Sequence, residues 1–220
     1  MNNYAIIVAG GSGLRMGSDV AKQFLLLKNK PVLMHTIKQF TSCKQIILVL
    51  PLAQVSYWKQ LCEDYQFKMP HTIVYGGDER FFSVLNGLNS LPDDAQGLVA
   101  VHDGVRPCVT QNTIDLSFSE AAIHQSAITS VGLKDSIRMV DGEASVALDR
   151  SKYCLIQTPQ TFNLLALKKA YSQINYQTHF TDDASVFEAA GNTIHLIKGE
   201  YRNIKITTPD DLLLAELYIK

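Results

Sequence analysis

Arg15 and Lys22 share one loop, "AGGSGLRMGSDVAKQ", which also holds Gly10, Gly11, Gly13 and Gly17 and follows at once on the apolar run "YAIIVA". Glycines let backbone N–H groups come close to an anion, and cations on the rim neutralise it, so the combination suits a phosphate chain. Spacing separates this loop from two others of similar outline. A dinucleotide fingerprint G-x-G-x-x-G needs a third glycine where Met16 stands. It also needs an acidic ribose partner about twenty residues on, where the chain reads "KNKPVLMHT". A P-loop needs Gly-Lys-Ser/Thr, whereas Lys22 is preceded by Ala21 and followed by Gln23. What remains is a surface turn, or a long loop that presents N–H groups to a triphosphate with Arg15 and Lys22 reaching in.

Other candidates lie on later loops. Asp103 ends the run "LVAVHD", where a carboxylate either caps a turn or stands beside a metal–nucleotide. His102 reads as a packed or hydrogen-bonded strand-end residue. Asp182 and Asp183, after Thr181, read as a helix cap. Lys205 sits between Ile204 and Ile206 in a short apolar run and must reach water or an anion.

The elements that position these residues follow from hydrophobic patterning. Nearly continuous apolar runs at Tyr4–Ala9, Gln45–Leu50, Thr72–Tyr75, Leu98–His102, Ala127–Leu133 and Thr193–Lys198 predict strands buried on both faces. Helical periods at Pro31–Phe40, Ala53–Tyr65, Phe81–Leu91, Gln111–His124, Leu164–Gln173 and Asp183–Ala190 lie between them, Pro31 at a first helical position. "TTPDDLLLAELYI" adds a last helix with Thr208 as N-cap, Pro209 at N1 and Asp211 at N3. The alternation predicts an α/β fold, a Rossmann-like three-layer sandwich with a mostly parallel central sheet. "LKDSIRMVDGEASVALDR" breaks the rhythm with two alternating, more polar segments around Asp141-Gly142, which predicts a β-hairpin projecting as an arm at about 133–155. No linker is evident, so one domain over 1–220 is expected. Ligands of open α/β sheets gather outside the carboxyl ends of the strands, which singles out the loops Gly10–Lys22, Gly76–Arg80 and Asp103–Pro107.

Composition narrows the function. With 220 residues, 46% hydrophobic and 19% charged, the chain has ample core material, and its net charge of −1 argues against general nucleic-acid binding. Cys43, Cys62, Cys108 and Cys154 form no CxxC pair, which argues against a thiolate metal site and suits reduced thiols in cytoplasm. The apolar run near the start is too short for a signal peptide or a membrane span.

The first loop resembles the nucleotidyltransferase signature G-x-G-x-R-[ML]-x(n)-P-K, with Ala21 where many members have proline. "YGGDERFFSVLNGL" (75–88), "VHDGVRP" (101–107), "LDRSKYCLIQTPQTF" (148–162), "TDDASVFEAAG" (181–191) and "NIKITTPDDLLLAE" (203–216) follow in order. Together they resemble the 2-C-methyl-D-erythritol 4-phosphate cytidylyltransferases over nearly the whole chain. The resemblance implies transfer of a cytidylyl group from CTP to that sugar phosphate with release of pyrophosphate, helped by Mg²⁺, in a homodimer joined through the arm. It implies that Arg15, Lys22 and Lys205 contact the CTP phosphates and carry catalysis. Ala9, Gly10, Gly11, Gly13, Gly77, Asp78 and Ser83 would surround the nucleotide. Asp103 would stand beside the metal and the attacking substrate. Arg106, Ser136, Arg150, Thr158 and Lys205, with Asp103, would hold the acceptor, Ser136 and Arg150 coming from the partner's arm; the family usually has threonine at 136.

The chemistry agrees with the residue types. A phosphate monoester has a second pKa of about 6, so the nucleophile is ionised at neutral pH and needs no general base. The barrier lies in bringing two anions together in line, which calls for fixed cations. Two other readings share these loops: a ribitol-5-phosphate cytidylyltransferase, and a non-catalytic nucleotide-binding protein on the same fold. Gly104 in "HDGVRP" and Ser185 in "TDDAS" favour the methylerythritol enzyme over the first. Cations on both sides of the α-phosphate argue against the second.

Overall fold

The computed structural model describes residues 1–10 and 20–219. In chain order the elements are β1 (Asn3–Val8), β2 (Leu26–Leu27), β3 (Lys30–Pro31), α1 (Val32–Lys38), β4 (Gln45–Leu50), α2 (Leu52–Asp64), β5 (Thr72–Tyr75), α3 (Arg80–Asn89), β6 (Leu98–Asp103) and α4 (Gln111–His124). They continue with β7 (Ser126–Gly132), β8 (Ile137–Asp141), β9 (Ala144–Leu148), β10 (Cys154–Asn163), α5 (Leu164–Gln173), α6 (Asp183–Ala189), β11 (Leu196–Lys198) and α7 (Pro209–Tyr218). Short 3-10 turns cover Lys22–Phe24 and Arg150–Lys152.

Seven strands form one sheet in the order β11-β7-β10-β6-β1-β4-β5. Every neighbouring pair is parallel except the two made by β10, which runs antiparallel between β6 and β7. Alternate strand residues feed opposite faces. Ala5, Ile7, Leu48 and Ala100 pack with Leu33 and Ile37 of α1, Trp58 of α2 and Phe118 of α4. Tyr4, Ile6, Val49 and Val101 pack with Val84 of α3, Leu167 of α5 and Phe187 of α6. This two-sided burial is why the strands read as unbroken apolar runs, and it gives the expected three layers.

β10 was not expected as a strand. Pro159 interrupts "CLIQTPQTF", and proline cannot donate to a ladder. The strand accommodates it through a slip: its register with β7 breaks between Ile156 and Gln160, and Pro159 falls in the gap. Two other details differ from expectation. Pro31 stands at the N-cap of α1, ahead of its first turn. The hairpin loop is Gly142-Glu143, since Asp141 still pairs with Ala144, and Gly142 takes φ +56 at the first loop position as in a II′ turn. β8 and β9 form their own two-stranded sheet with almost every residue exposed. At the other end of the chain, α7 opens with the full capping box of Thr208 and Asp211.

Candidate functional site

β1 and β6 run side by side, Val8 opposite Asp103, so the loops after them leave the sheet together. Gly104 keeps them close: its N–H donates to Val8 O at 2.8 Å, and a side chain there would meet Ala9 Cβ at 2.8 Å. Lys22 opens a 3-10 turn that Gln23 fixes to the end of β1, its Nε2 donating to Ala9 O at 2.9 Å and to Gln54 Oε1 at 2.6 Å. On the other wall, Gly77 N–H donates to Ser83 Oγ at 3.2 Å, and a Cβ on Gly77 would stand 2.4 Å from Phe82 Cβ. These walls enclose a cleft of about 280 Å³.

Ala9, Gly10, Lys22, Gly77, Asp78, Ser83, Asp103 and Lys205 all line it. Eight residues expected at the nucleotide, from five separate stretches of chain, thus meet in one place. Gly11, Gly13 and Arg15 lie outside the described residues. Ala9 contributes less backbone than expected, because its N–H donates to Val49 O and its carbonyl already receives Gln23.

A second cleft of about 160 Å³ adjoins the first, lined by Arg106, Gln157, Thr158, Gln160, Thr181 and Asp182 among others. Arg80, Asp103 and Lys205 belong to both clefts. Of the residues expected at the acceptor, Asp103, Arg106, Thr158 and Lys205 therefore come together. Ser136 and Arg150 do not; both are exposed at the base of the hairpin, where Arg150 Nη1 donates to Lys134 O.

Asp103 is the electrostatic centre. Its Oδ2 stands 3.0 Å from Lys205 Nζ and 3.2 Å from Arg106 Nε, and its Oδ1 3.9 Å from Arg80 Nε. Burial alone would raise its pKa, but Lys205, then Arg80 and Arg106, hold the carboxyl well below the usual carboxylate range. Lys205 reaches it from between buried Ile206 and half-buried Ile204, so the lysine between two isoleucines points at a carboxylate and keeps 43% of its side chain in water.

Behind Asp103 lies a satisfied buried chain. Thr158 Oγ1 accepts the Asp103 N–H at 3.1 Å and donates to His102 Nδ1 at 3.0 Å, while His102 Nε2 donates to Arg106 O at 3.2 Å. Burial lowers the His102 pKa to about 4, against an opposing pull from Asp103, so the ring is neutral and packs against Phe40 as a structural residue. Thr158, expected at the acceptor, has both these bonds on its hydroxyl and first of all positions Asp103. Arg106 is held likewise, its Nη1 donating to Asn203 O at 2.8 Å.

Arg80 was missed. Its Nη2 meets Asp183 Oδ2 at 2.7 Å, and Asp183 Oδ1 accepts the Tyr171 hydroxyl at 2.7 Å. Only Asp182 caps α6, accepting the Ser185 N–H at 2.9 Å; Asp183 is fully buried and serves Arg80 instead. Gln160 joins the two stretches, accepting the Asp183 and Ala184 N–H groups at 3.0 Å and donating to Asp182 Oδ2 at 2.8 Å. Arg80 and Asp183 lie inside quoted motifs, but no spacing links residues so far apart. Around the junction, three cations (Arg80, Arg106, Lys205) face Asp103 and Asp183, with Asp182 also lining the smaller cleft and Lys22 and Asp78 the larger. Arg80 and Lys205 thus place fixed cations at the boundary that both clefts share.

Comparison with known proteins points to one family. The sequence profile of the 2-C-methyl-D-erythritol 4-phosphate cytidylyltransferases matches residues 3–220. The chain is similar to the enzyme of that name from Phocaeicola vulgatus, 48% identical over 222 residues with all of both chains covered. It is also similar to that from Bacteroides thetaiotaomicron, 49% identical over 218 residues with 98% of each covered. Among solved structures, the 4-diphosphocytidyl-2C-methyl-D-erythritol synthase of Anaerococcus prevotii superposes with a TM-score of 0.82 at 28% identity, covering 99% of this chain and 97% of that one. The Francisella tularensis cytidylyltransferase superposes with 0.80 at 29% identity, covering both chains fully.

Proposed function

Because the chain belongs to the 2-C-methyl-D-erythritol 4-phosphate cytidylyltransferase family, we propose that its two joined clefts hold the two substrates of that reaction. The protein is a nucleotidyltransferase: it moves the cytidylyl group of CTP onto 2-C-methyl-D-erythritol 4-phosphate and releases pyrophosphate, a step of the non-mevalonate route to isoprenoids. CTP occupies the larger cleft, with its base and ribose against Ala9, Gly10, Gly77, Asp78 and Ser83 and its phosphates toward Lys22 and Lys205; Gly11, Gly13 and Arg15 complete the phosphate loop. The sugar phosphate occupies the smaller cleft beside Arg106. The single observation that carries this reading is that Arg80, Asp103 and Lys205 line both clefts.

In this arrangement the acceptor phosphate is already ionised and attacks the α-phosphorus directly. Lys205 is shared between the attacking and attacked phosphates and offsets their repulsion. Lys22 stabilises charge as pyrophosphate leaves, and fixed cations need no reorganisation during the reaction. Asp103 holds Lys205 and Arg106 in place. A divalent cation fits here: Lys205 and Arg106 occupy Asp103 Oδ2 more tightly than Arg80 approaches Oδ1, and Mg²⁺ characteristically takes one carboxylate and the substrate phosphates. When bound it supplies further neutralisation of the triphosphate.

Ser136 and Arg150, absent from the smaller cleft, reach the acceptor from a second copy through the β8–β9 arm, which makes the working form a homodimer of one-domain subunits. Four unpaired cysteines support a cytoplasmic setting, and among the described residues no helix is long and apolar enough to cross a membrane. The test is pyrophosphate release by the pure protein with CTP and either 2-C-methyl-D-erythritol 4-phosphate or ribitol 5-phosphate. A kcat/KM at least about 100-fold higher for the first, some 3 kcal/mol of discrimination, is expected; equal or reversed values would contradict it.

A further inference from the structure

At the β11 edge of the sheet, three ligand-type side chains converge. Glu120 and His124 stand one turn apart on α4, and His195 immediately precedes β11. His124 Nε2 lies 3.5 Å and His195 Nε2 3.2 Å from the same oxygen, Glu120 Oε2, and the three candidate donor atoms lie within 4.8 Å of one another. The clefts sit at the carboxyl ends of the parallel strands, whereas His195 and the end of α4 lead into the amino ends of β11 and β7, so this cluster takes no part in the reaction.

We infer that Glu120, His124 and His195 form a binding site for one zinc-type divalent cation that ties α4 to the edge strand β11. Two imidazoles and one carboxylate are the donor set of open, three-ligand zinc sites, with water in the fourth position. In a tetrahedron of bonds about 2.0–2.2 Å long, ligand atoms stand about 3.3–3.6 Å apart, and the two separations to Glu120 Oε2 lie at that edge length. The backbone at His195 is already tied to β7: its N–H donates to Ser126 Oγ at 3.0 Å, and Ile128 N–H donates to His195 O at 2.8 Å. Only side chains need to adjust. The rings are stacked with centroids 3.8 Å apart and planes 17° apart. Near-parallel rings cannot aim both lone pairs at one point, so one imidazole turns about χ2 on binding, and side chains 42% and 37% exposed are free to do so.

The experiment titrates the full-length reduced protein with zinc against a chromophoric chelator. It compares wild type, the His124→Ala/His195→Ala double variant and Glu120→Gln, and takes melting temperatures of each with zinc and with EDTA. Wild type is expected to hold one equivalent that the double variant loses and that Glu120→Gln binds at least tenfold more weakly. Zinc at a hundredfold excess over Kd should raise the wild-type Tm by about 5–10 °C and leave the double variant unmoved. If the double variant melts early even in EDTA, Glu120→Gln, which keeps a hydrogen-bonding side chain, decides. Zinc bound with unchanged stoichiometry and affinity in both variants, or no uptake by wild type at micromolar zinc, would overturn the site.

Discussion

Arg80 Nη2 stands 2.7 Å from Asp183 Oδ2, a guanidinium and a carboxylate drawn together from positions 103 residues apart. The pair fixes a cation at the boundary of both clefts, and Tyr171 closes it from behind. Burial, and then the neighbouring Asp183 charge, push the Tyr171 pKa well above its ordinary value, so its hydroxyl stays a donor. Removing one partner leaves the other's charge buried with too little compensation. Arg80→Met is therefore expected to destabilise the fold by about 3 kcal/mol, the lower end for a broken buried pair because Arg80 keeps some contact with water. Arg80→Met/Asp183→Asn should recover most of that loss. Urea unfolding of the two single variants and the double closes the cycle, and strictly additive effects would show that the pair is not coupled.

A site completed by a partner's arm has a signature in mixed dimers. Lys22→Ala should fold normally and lose about 10²–10³ in kcat, the scale of a deleted oxyanion-hole donor. Arg150→Ala should raise KM for the sugar phosphate far more than KM for CTP. Random mixing of the two variants makes half the dimers hybrid, and each hybrid has one site with both residues intact, so about a quarter of wild-type activity should return at low acceptor concentration. If Arg150 serves its own subunit, mixing restores nothing.

Buried His102 gives stability a pH dependence. Its folded pKa of about 4 lies below the ordinary 6.5, so between those values the unfolded chain binds the extra proton. Stability should consequently fall as pH drops from about 6.5 to about 4, by up to about 1.4 kcal/mol per pH unit. Asp103, depressed below the carboxylate range, adds its own loss only below about pH 4. Denaturant midpoints at several pH values for wild type and His102→Gln measure this; an equal slope in the variant would assign the effect elsewhere.

Much of this architecture was legible because both faces of the sheet are buried. Apolar runs mark β1, β4, β5, β6, β7 and β11, though not the two-residue β2 and β3, and the matched bounds of α4 and α5 follow from helical periods. β10 was hidden by Pro159, whose place in a register slip is a tertiary fact. At the site, glycines and cations on strand-end loops pointed to Lys22, Asp103 and Lys205. Arg80 and Gln23 escaped because their meaning lies in partners: Asp183 and Asp103 for the one, Ala9 and Gln54 for the other. Asp183 looked like a cap because it follows Thr181 and Asp182, and only its burial against Arg80 and Tyr171 separates it from Asp182.

In the proposed reaction Lys205, 3.0 Å from Asp103 and lining both clefts, acts on both substrates at once. Lys205→Ala tests it most directly through single-turnover rates over a matrix of CTP and sugar phosphate concentrations. The expected result is a rate about 10²–10³ lower at saturation, with weaker apparent affinity for both substrates and an unchanged fold. A near-normal saturating rate, or an affinity loss confined to one substrate, would contradict it.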